Sequence, residues 1–266
     1  MNLLKTIDER GALTLTLNRP DRHNAFNGEL VAALIETLDA AERDERIRLV
    51  ILRGAGRSFC AGADIDWLQR MAASSFEENL ADAAELAKLM QQLDRLSKPT
   101  MAFIHGAAYG GGVGLVSCCD IAVATERASF RLSEARLGLI PSVIAPYVIR
   151  AIGQRAFRRY ALTAERIAPQ AACGLGLVHE AIGETEAPAL LDMIVDALLR
   201  GAPGAESEAK QLGFLCEGRA IDEGLAFETA KRIAKRRATP EGREGLAAFL
   251  EKRPPRWAPG GSMAVV

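Results

Sequence analysis

The stretch Tyr109–Leu115, "YGGGVGL", packs four glycines into seven residues and runs straight into the apolar "VSCCDIAVA". A glycine inside a helix costs roughly 1 kcal/mol against alanine, so a cluster of them where a helix opens calls for a backbone kept bare on purpose. A helix N-terminus offers unpaired N–H groups with partial positive charge, and glycines let a ligand oxygen approach them. The stretch reads as a cradle for one developing negative oxygen, with tight helix-on-strand packing as the structural alternative. The dinucleotide pattern GxGxxG fails at its third position, where Gly112 and Gly114 are followed by Ser117, and no GK[ST] follows for a phosphate loop.

Segments with strand and helix periods alternate around this cradle. "ALTLTLN" sets Leu13, Leu15 and Leu17 against Thr14 and Thr16, a half-buried strand. "NGELVAALIETLDAAERD" is an amphipathic helix with Leu30, Leu34 and Leu38 on one face, and "IRLVILRG" is a strand covered on both sides. A helix predicted from about Phe76 to Ser97 carries Leu80, Ala84, Ala87, Met90 and Leu93 as its apolar stripe and stops before Pro99. "TMAFIHG" and "CDIAVAT" are two further buried strands flanking the glycines, and from about Ala187 only helical patterns remain. The order points to an α/β architecture with parallel pairings, closed by a helical section.

Composition excludes several classes. The 266 residues, 49% of them apolar and 25% charged, suit one large soluble domain with or without an appendage. A formal net charge of −1 is wrong for a dedicated nucleic-acid binder. Basic character is local, in "KRIAKRR" (Lys231–Arg237) and "EKRPPR" (Glu251–Arg256), which read as a solvated helix face and tail, or as a small phosphate site. Five cysteines, Cys60, Cys118, Cys119, Cys173 and Cys216, show no CxxC spacing, and His23, His105 and His179 have no i,i+4 partner. Neither a disulfide framework nor a metal site is expected, and a reducing, cytoplasmic compartment fits. The start "MNLLKTIDERG" lacks a signal pattern, and no apolar stretch has the length of a membrane span. The GxxxG spacings at Gly106, Gly110 and Gly114 are therefore not read as a membrane helix pair.

Three more blocks accompany the glycines: "NRPDRHNAFN" (Asn18–Asn27), "SFCAGADIDWL" (Ser58–Leu68) and "SEARLGLIP" (Ser133–Pro141). In that order and at those separations the four blocks resemble the enoyl-CoA hydratase/isomerase family, the crotonase superfamily, over about residues 5 to 255. The resemblance implies an α/β fold, the crotonase (ClpP-like) spiral of ββα units with a C-terminal helical trimerisation region. On this chain that is a core over 1–190, a trimerisation region over 191–256 and a tail over 257–266. It implies a homotrimer or dimer of trimers, an acyl-CoA thioester as substrate, and no separate cofactor, coenzyme A being part of the substrate. It further implies that the peptide N–H groups of Ala63 and Gly111 hold the thioester oxygen while an enolate forms. Backbone groups of Ala61, Ala63 and Ile65 match the family's adenine-binding segment. Arg22, and Phe249 with Lys252 from a neighbouring subunit, are weaker candidates for holding the CoA phosphates.

The acid/base positions depart from the two-carboxylate hydratase pattern. The position two residues after "GGG", a glutamate in those enzymes, is Gly114, and the second carboxylate is Glu134. One carboxylate suffices to move a double bond between the 3,4- and 2,3-positions, whereas hydration is normally shared between two. Against that count, "GGGVGLVSCCDIA", "LSEARLGLIPSVIAPYVIRAIG" and "EGLAAFLEKRPPRW" look like the bacterial methylglutaconyl-CoA hydratase branch and its isoprenoid-chain relatives. The expectation is hydration of a branched or carboxylated 2,3-enoyl-CoA, with the space vacated at Gly114 accepting substrate bulk. Isomerisation by a single glutamate, a crotonase-like hydrolase or decarboxylase, and an acyl-CoA- or RNA-binding pseudoenzyme are the alternatives. Cys60 reads as buried packing, Asp64 as a helix cap, and His105 as packing beneath the glycine turn, while the resemblance puts Trp67 and the following "RMAASSF" where the family varies the shape of the acyl pocket. Arg131 and Arg136 are the arginines nominally near Glu134.

Overall fold

The computed structural model describes residues 1–258. Two sheets organise the first part of the chain. The larger has six strands in the order β1-β2-β3-β5-β7-β9, formed by β1 (Leu3–Ile7), β2 (Ala12–Leu17), β3 (Leu49–Gly54), β5 (Thr100–Ile104), β7 (Ile121–Thr125) and β9 (Glu180–Ile182). Only the β1/β2 pair, joined by a short turn, is antiparallel. The smaller sheet is all parallel: β4 (Ser58–Cys60), β6 (Ala107–Tyr109) and β8 (Ser129–Arg131). From β3 onward the chain thus places strands alternately in the larger and the smaller sheet, the ββα spiral expected of the crotonase fold.

Helix α1 (Gly28–Arg43) is capped by Asn27, whose side chain accepts from the Leu30 N–H at 3.0 Å, and buries Leu30, Leu34 and Leu38. Helix α2 (Ile65–Ala73) follows β4, and α3 (Phe76–Arg95) opens with a capping box between Ser75 and Glu78. The apolar stripe of α3 holds only in its second half. Leu89, Met90 and Leu93 are buried, but Leu80 is 58% exposed and Ala84 is also exposed, because the first turns of α3 run beyond the core. Helix α4 (Gly111–Cys118) is buried from Gly112 onward, as a helix apolar on every side must be. The glycines follow β6, not β5: the three-residue strand Ala107–Tyr109 intervenes. Helices α5 (Ala145–Thr163, broken at Gly153) and α6 (Pro169–Leu175) complete this part.

The chain divides into two compact units, residues 1–96 with 100–191, and 97–99 with the residues from Asp192 onward. Helix α7 (Ala187–Arg200) spans the boundary; α8 (Pro203–Cys216), α9 (Glu223–Ala238) and α10 (Pro240–Leu250) lie in the second unit. Ion pairing fastens that unit internally: Arg236 pairs with Glu241, and Arg253 with Glu244 at 2.7 Å. The expected tail begins too early at 257. Trp257 donates its indole N–H to the Arg200 carbonyl at 3.2 Å and sets its ring beside Gly245, so it belongs to the helical unit. Residues 259–266 lie outside the described residues.

Candidate active site

The site is built where the strands of the small sheet end. After β4, Gly62 takes φ +93° and presses against the β6 end: a Cβ there would lie 3.1 Å from the Tyr109 carbonyl oxygen and 3.9 Å from Gly110 Cα. Only glycine permits both the left-handed backbone and the approach. Phe26 fixes this segment by bridging it like a strand, its N–H donating to the Gly62 carbonyl at 2.7 Å and its carbonyl accepting from Asp64 N–H at 2.9 Å. Both hydrogen bonds use the neighbours of Ala63. The Ala63 N–H itself has no acceptor among the described residues, and the residue is exposed.

Across from it, Gly110 turns the chain with φ +50° and ψ −119°, and its carbonyl accepts from Val113 and Gly114 as α4 begins. The N–H groups of Gly111 and Gly112 are left without acceptors, as the first turn of a helix leaves them. The Phe26 ring lies so close to Gly111 that a Cβ there would stand 2.7 Å from ring carbon Cε2. One aromatic residue therefore sets both sides of the cradle, Ala63 through its backbone and Gly111 through its ring.

Glu134 opens a 3-10 helix (Glu134–Leu137), and its carboxylate lies over Gly110: Oε1 would be 3.0 Å from a Cβ at that glycine. Its other oxygen, Oε2, is buried with no hydrogen-bond partner among the described residues. Burial pushes the Glu134 carboxyl above the usual carboxylate value, although the N–H groups of Glu134 and Ser133 pull it down. A carboxyl with a raised pKa and an unengaged oxygen, next to unpaired N–H groups, has the parts for moving a proton beside a carbonyl whose oxygen gains charge.

Position 114 does not hold the room expected of it. A Cβ at Gly114 would collide with Ile144 Cγ2 and stand 3.1 Å from Met90 Cε, so these two side chains already fill the volume. The glycine there admits Ile144, not substrate bulk.

Asp64 caps α2, accepting from the Asp66 N–H at 2.8 Å, and is paired with Arg19 at 2.6 Å. Sequence reasoning missed Arg19, which lies 45 residues away and also donates to the Ala25 carbonyl at 2.5 Å. Cys60 is fully buried, its thiol pushed up to about 12 by desolvation, which fits packing rather than nucleophilic work. Trp67 is buried and donates to Asp82 at 2.8 Å, tying α2 to α3. Arg22 is exposed and pairs loosely with Asp66 at 3.2 Å; Ile65 is exposed, and the Ala61 N–H donates to the His23 carbonyl. Phe249 and Lys252 are exposed residues of the second unit, in and just after α10. Arg131 stacks over the Tyr109 ring at 5.6 Å, and Arg136 points to solvent from the 3-10 helix, so neither is assigned to a substrate carboxylate. No helix of the described residues is long and apolar enough to cross a membrane, and among those residues no three His, Cys, Asp or Glu side chains gather as metal ligands.

Residues 8–260 match the family model for enoyl-CoA hydratase/isomerase. The chain belongs to the enoyl-CoA hydratase/isomerase family. A crystal structure of an enoyl-CoA hydratase from Shewanella pealeana is 46% identical, covers 97% of this chain and 96% of its own, and superimposes with a TM-score of 0.93. The 2,3-dehydroadipyl-CoA hydratase of Escherichia coli K12 is 34% identical over 93% of this chain and 95% of its own length. The 1,2-epoxyphenylacetyl-CoA isomerase of the same organism is 32% identical over 94% and 95%. This member of the enoyl-CoA hydratase/isomerase family is an acyl-CoA enzyme of the crotonase superfamily, and its relatives include enzymes named for hydration and for isomerisation.

Proposed function

We propose that this chain hydrates a 2,3-enoyl-CoA, with Glu134 as the single carboxylate and the Ala63 and Gly111 N–H groups as the oxyanion cradle. The observation that carries the reading is the placement of Glu134 over Gly110, one buried oxygen unengaged, beside two segments whose N–H groups lack acceptors. In the reaction the Glu134 carboxylate takes a proton from water and the water oxygen bonds to C3. The C2=C3 electron pair moves into the thioester, whose oxygen becomes anionic within the cradle. The Glu134 carboxyl then returns a proton to C2 as the carbonyl re-forms, so H and OH are added and the carboxylate is restored. Backbone donors already aimed at that oxygen stabilise the charge without reorganising.

The branched or carboxylated, methylglutaconyl-CoA type of acyl group is supported by the resemblance of the blocks around Gly111 and Glu134 and near the C-terminus. Room at Gly114 no longer supports it. Ala61, Ala63 and Ile65 would line the adenine, with Arg22, and Phe249 and Lys252 of a neighbouring subunit, near the phosphates. Exposed Leu246, Phe249 and Leu250 on α10 are apolar surface of the kind that subunits bury in a homotrimer or dimer of trimers. A second reading, 3,2-enoyl-CoA isomerisation, is favoured by the lone carboxylate, since one base can take a proton at Cα and return it at Cγ.

A spectrophotometric panel of crotonyl-, 3-methylcrotonyl-, 3-methylglutaconyl- and 3-enoyl-CoA tests both. Hydration removes the conjugated-thioester absorbance and isomerisation creates it. The expected result is loss of absorbance with the highest kcat/KM on 3-methylglutaconyl-CoA. A gain on 3-enoyl-CoA alone assigns the isomerase, and binding without turnover of any ester overturns the enzymatic reading.

A further inference from the structure

The small sheet carries a second concave site at its other end. Ala63 and Gly111 follow the C-terminal ends of β4 and β6, whereas Ser58, Ala107 and Ser129 stand in register where β4, β6 and β8 begin. There a cavity of about 330 Å³ is lined by Arg57, Ser58, His105, Tyr109, Ser129 and Arg166, with the Arg127–Glu184 ion pair, 3.1 Å, also on its wall. None of the groups assigned to the thioester lines it.

Its chemistry is that of an anion site. Glu184 answers Arg127, but among the described residues Arg57 and Arg166 have no carboxylate within ion-pair distance, which leaves two guanidinium charges there without a described counter-charge. Both are held in place by neutral partners. Arg57 donates to His23 Nε2 at 2.9 Å; because arginine has only donors, the proton of that imidazole sits on Nδ1, which faces Ser58 Oγ at 2.9 Å. Arg166 donates through Nε to Ser129 Oγ at 3.0 Å, which leaves its terminal amino groups for a ligand, and Ser129 Oγ is also 3.2 Å from the Tyr109 hydroxyl. His105 donates from Nε2 to the Gly56 carbonyl at 2.7 Å, and its Nδ1 is buried without a partner among the described residues. His105 therefore belongs to this cavity and not beneath the glycine turn.

We infer that this cavity binds a phosphate-bearing small molecule, with Arg57 and Arg166 as the charged donors and Tyr109 and Ser129 as the neutral ones. Two guanidinium forks and two hydroxyls offer more donors than the two oxygens of a carboxylate can use, and they suit the oxygens of a phosphate. The volume lies at the lower end of the range for small-molecule sites, enough for a phosphate with part of the group that bears it. The guanidinium groups are pre-positioned through His23 and Ser129, so binding orders little new structure.

The test uses the full chain and inorganic pyrophosphate in phosphate-free buffer, by isothermal titration calorimetry, with and without saturating acetyl-CoA. Saturable binding of one pyrophosphate per chain is expected, unchanged by acetyl-CoA and weakened at least tenfold in Arg166→Gln and in Arg57→Gln. Each variant is checked for native circular dichroism, and turnover of the preferred enoyl-CoA is expected to stay within twofold of wild type. Absence of saturable binding to the wild-type chain overturns the inference, as do equal binding by both folded variants and competition with acetyl-CoA, which would make the cavity part of the substrate site. Dissociation of an oligomer in the variants, with no pyrophosphate binding by the wild type, overturns it in favour of an acidic group from a second copy.

Discussion

The Ile144 side chain stands where any Cβ at position 114 would have to go, so glycine at 114 and isoleucine at 144 are one packing decision. Ile144 is 2% exposed and precedes α5, and Met90 of α3 closes the same volume. The two-carboxylate arrangement is therefore absent in packing as well as in sequence. Gly114→Glu is expected to lower stability by 3 kcal/mol or more, from overpacking of about 1–3 kcal/mol together with a buried, unpaired carboxyl. It should not restore straight-chain hydration. Urea unfolding midpoints and crotonyl-CoA turnover check this, and adding Ile144→Ala should recover part of the loss.

Glu134→Gln is expected to lower kcat at least 10²-fold while leaving CoA-ester binding nearly unchanged, because the amide keeps the shape and loses the proton transfer. Activity within a few-fold of wild type would remove Glu134 from the mechanism. The same variant makes a stability prediction. Burial raises the Glu134 carboxyl above its ordinary value of 4.5, so the folded state holds this proton more tightly than the unfolded chain does. Its contribution is fully present below pH 4.5 and is lost as pH rises through the folded value. Relative to wild type, Glu134→Gln should gain melting temperature at pH 7 and lose that advantage near pH 4. On the acid side, the fall in kcat/KM should be centred above the ordinary glutamate value of 4.5.

The parts of this molecule legible in the sequence are those with a period or a motif. Strand β2 alternates, α1 repeats its leucines, and the glycine and "GAD" blocks mark the junctions that adjoin in the fold, with Glu134 over one of them. Strand β4 is legible only through the strand-to-helix junction that "SFCAGADIDWL" marks, and β6 and β8 are not legible, because three residues carry no period. Arg19, Phe26 and Ile144 were missed for another reason: each acts on a residue that only the tertiary fold brings near. The stripe on α3 misled at Leu80, since a helical period records which face is apolar and not how far the core extends beneath it.

Ala63→Pro offers a cleaner test of the cradle than a change at Gly111, where a ring or methyl would run into Phe26. The Ala63 N–H donates to nothing among the described residues, its side chain is exposed, and its φ is not in the left-handed region, so proline removes the donor without breaking a hydrogen bond described within the chain. A loss of about 10²–10³ in kcat is expected, the usual effect of deleting one oxyanion donor. Normal turnover in a folded variant would mean that the oxygen is held elsewhere.

Arg19 and Asp64 extend the cradle into the core. Asp64 follows Ala63 directly, caps α2 and is 3% exposed, and its side-chain oxygens are shared between the Asp66 N–H and the Arg19 guanidinium. Burial by itself would raise this carboxyl, but Arg19 and the Asp66 N–H outweigh it and hold it below its ordinary value of 3.8. A depressed folded-state value contributes stability above the unfolded pKa that disappears as pH falls through the folded one, so the pair should matter at pH 7 and fade below about pH 3.8. Removing one member of a buried pair strands the other, and Arg19→Ala is expected to cost about 3–5 kcal/mol at pH 7. Arg19→Lys should recover part of this, because an ammonium keeps the charge but reaches Asp64 and the Ala25 carbonyl less well than the planar fork. If the pair also positions the Ala63 N–H, kcat in the folded Arg19→Lys protein falls by about tenfold while KM for the CoA ester moves less than twofold. A lysine variant that loses stability but keeps kcat would confine the pair to holding the fold.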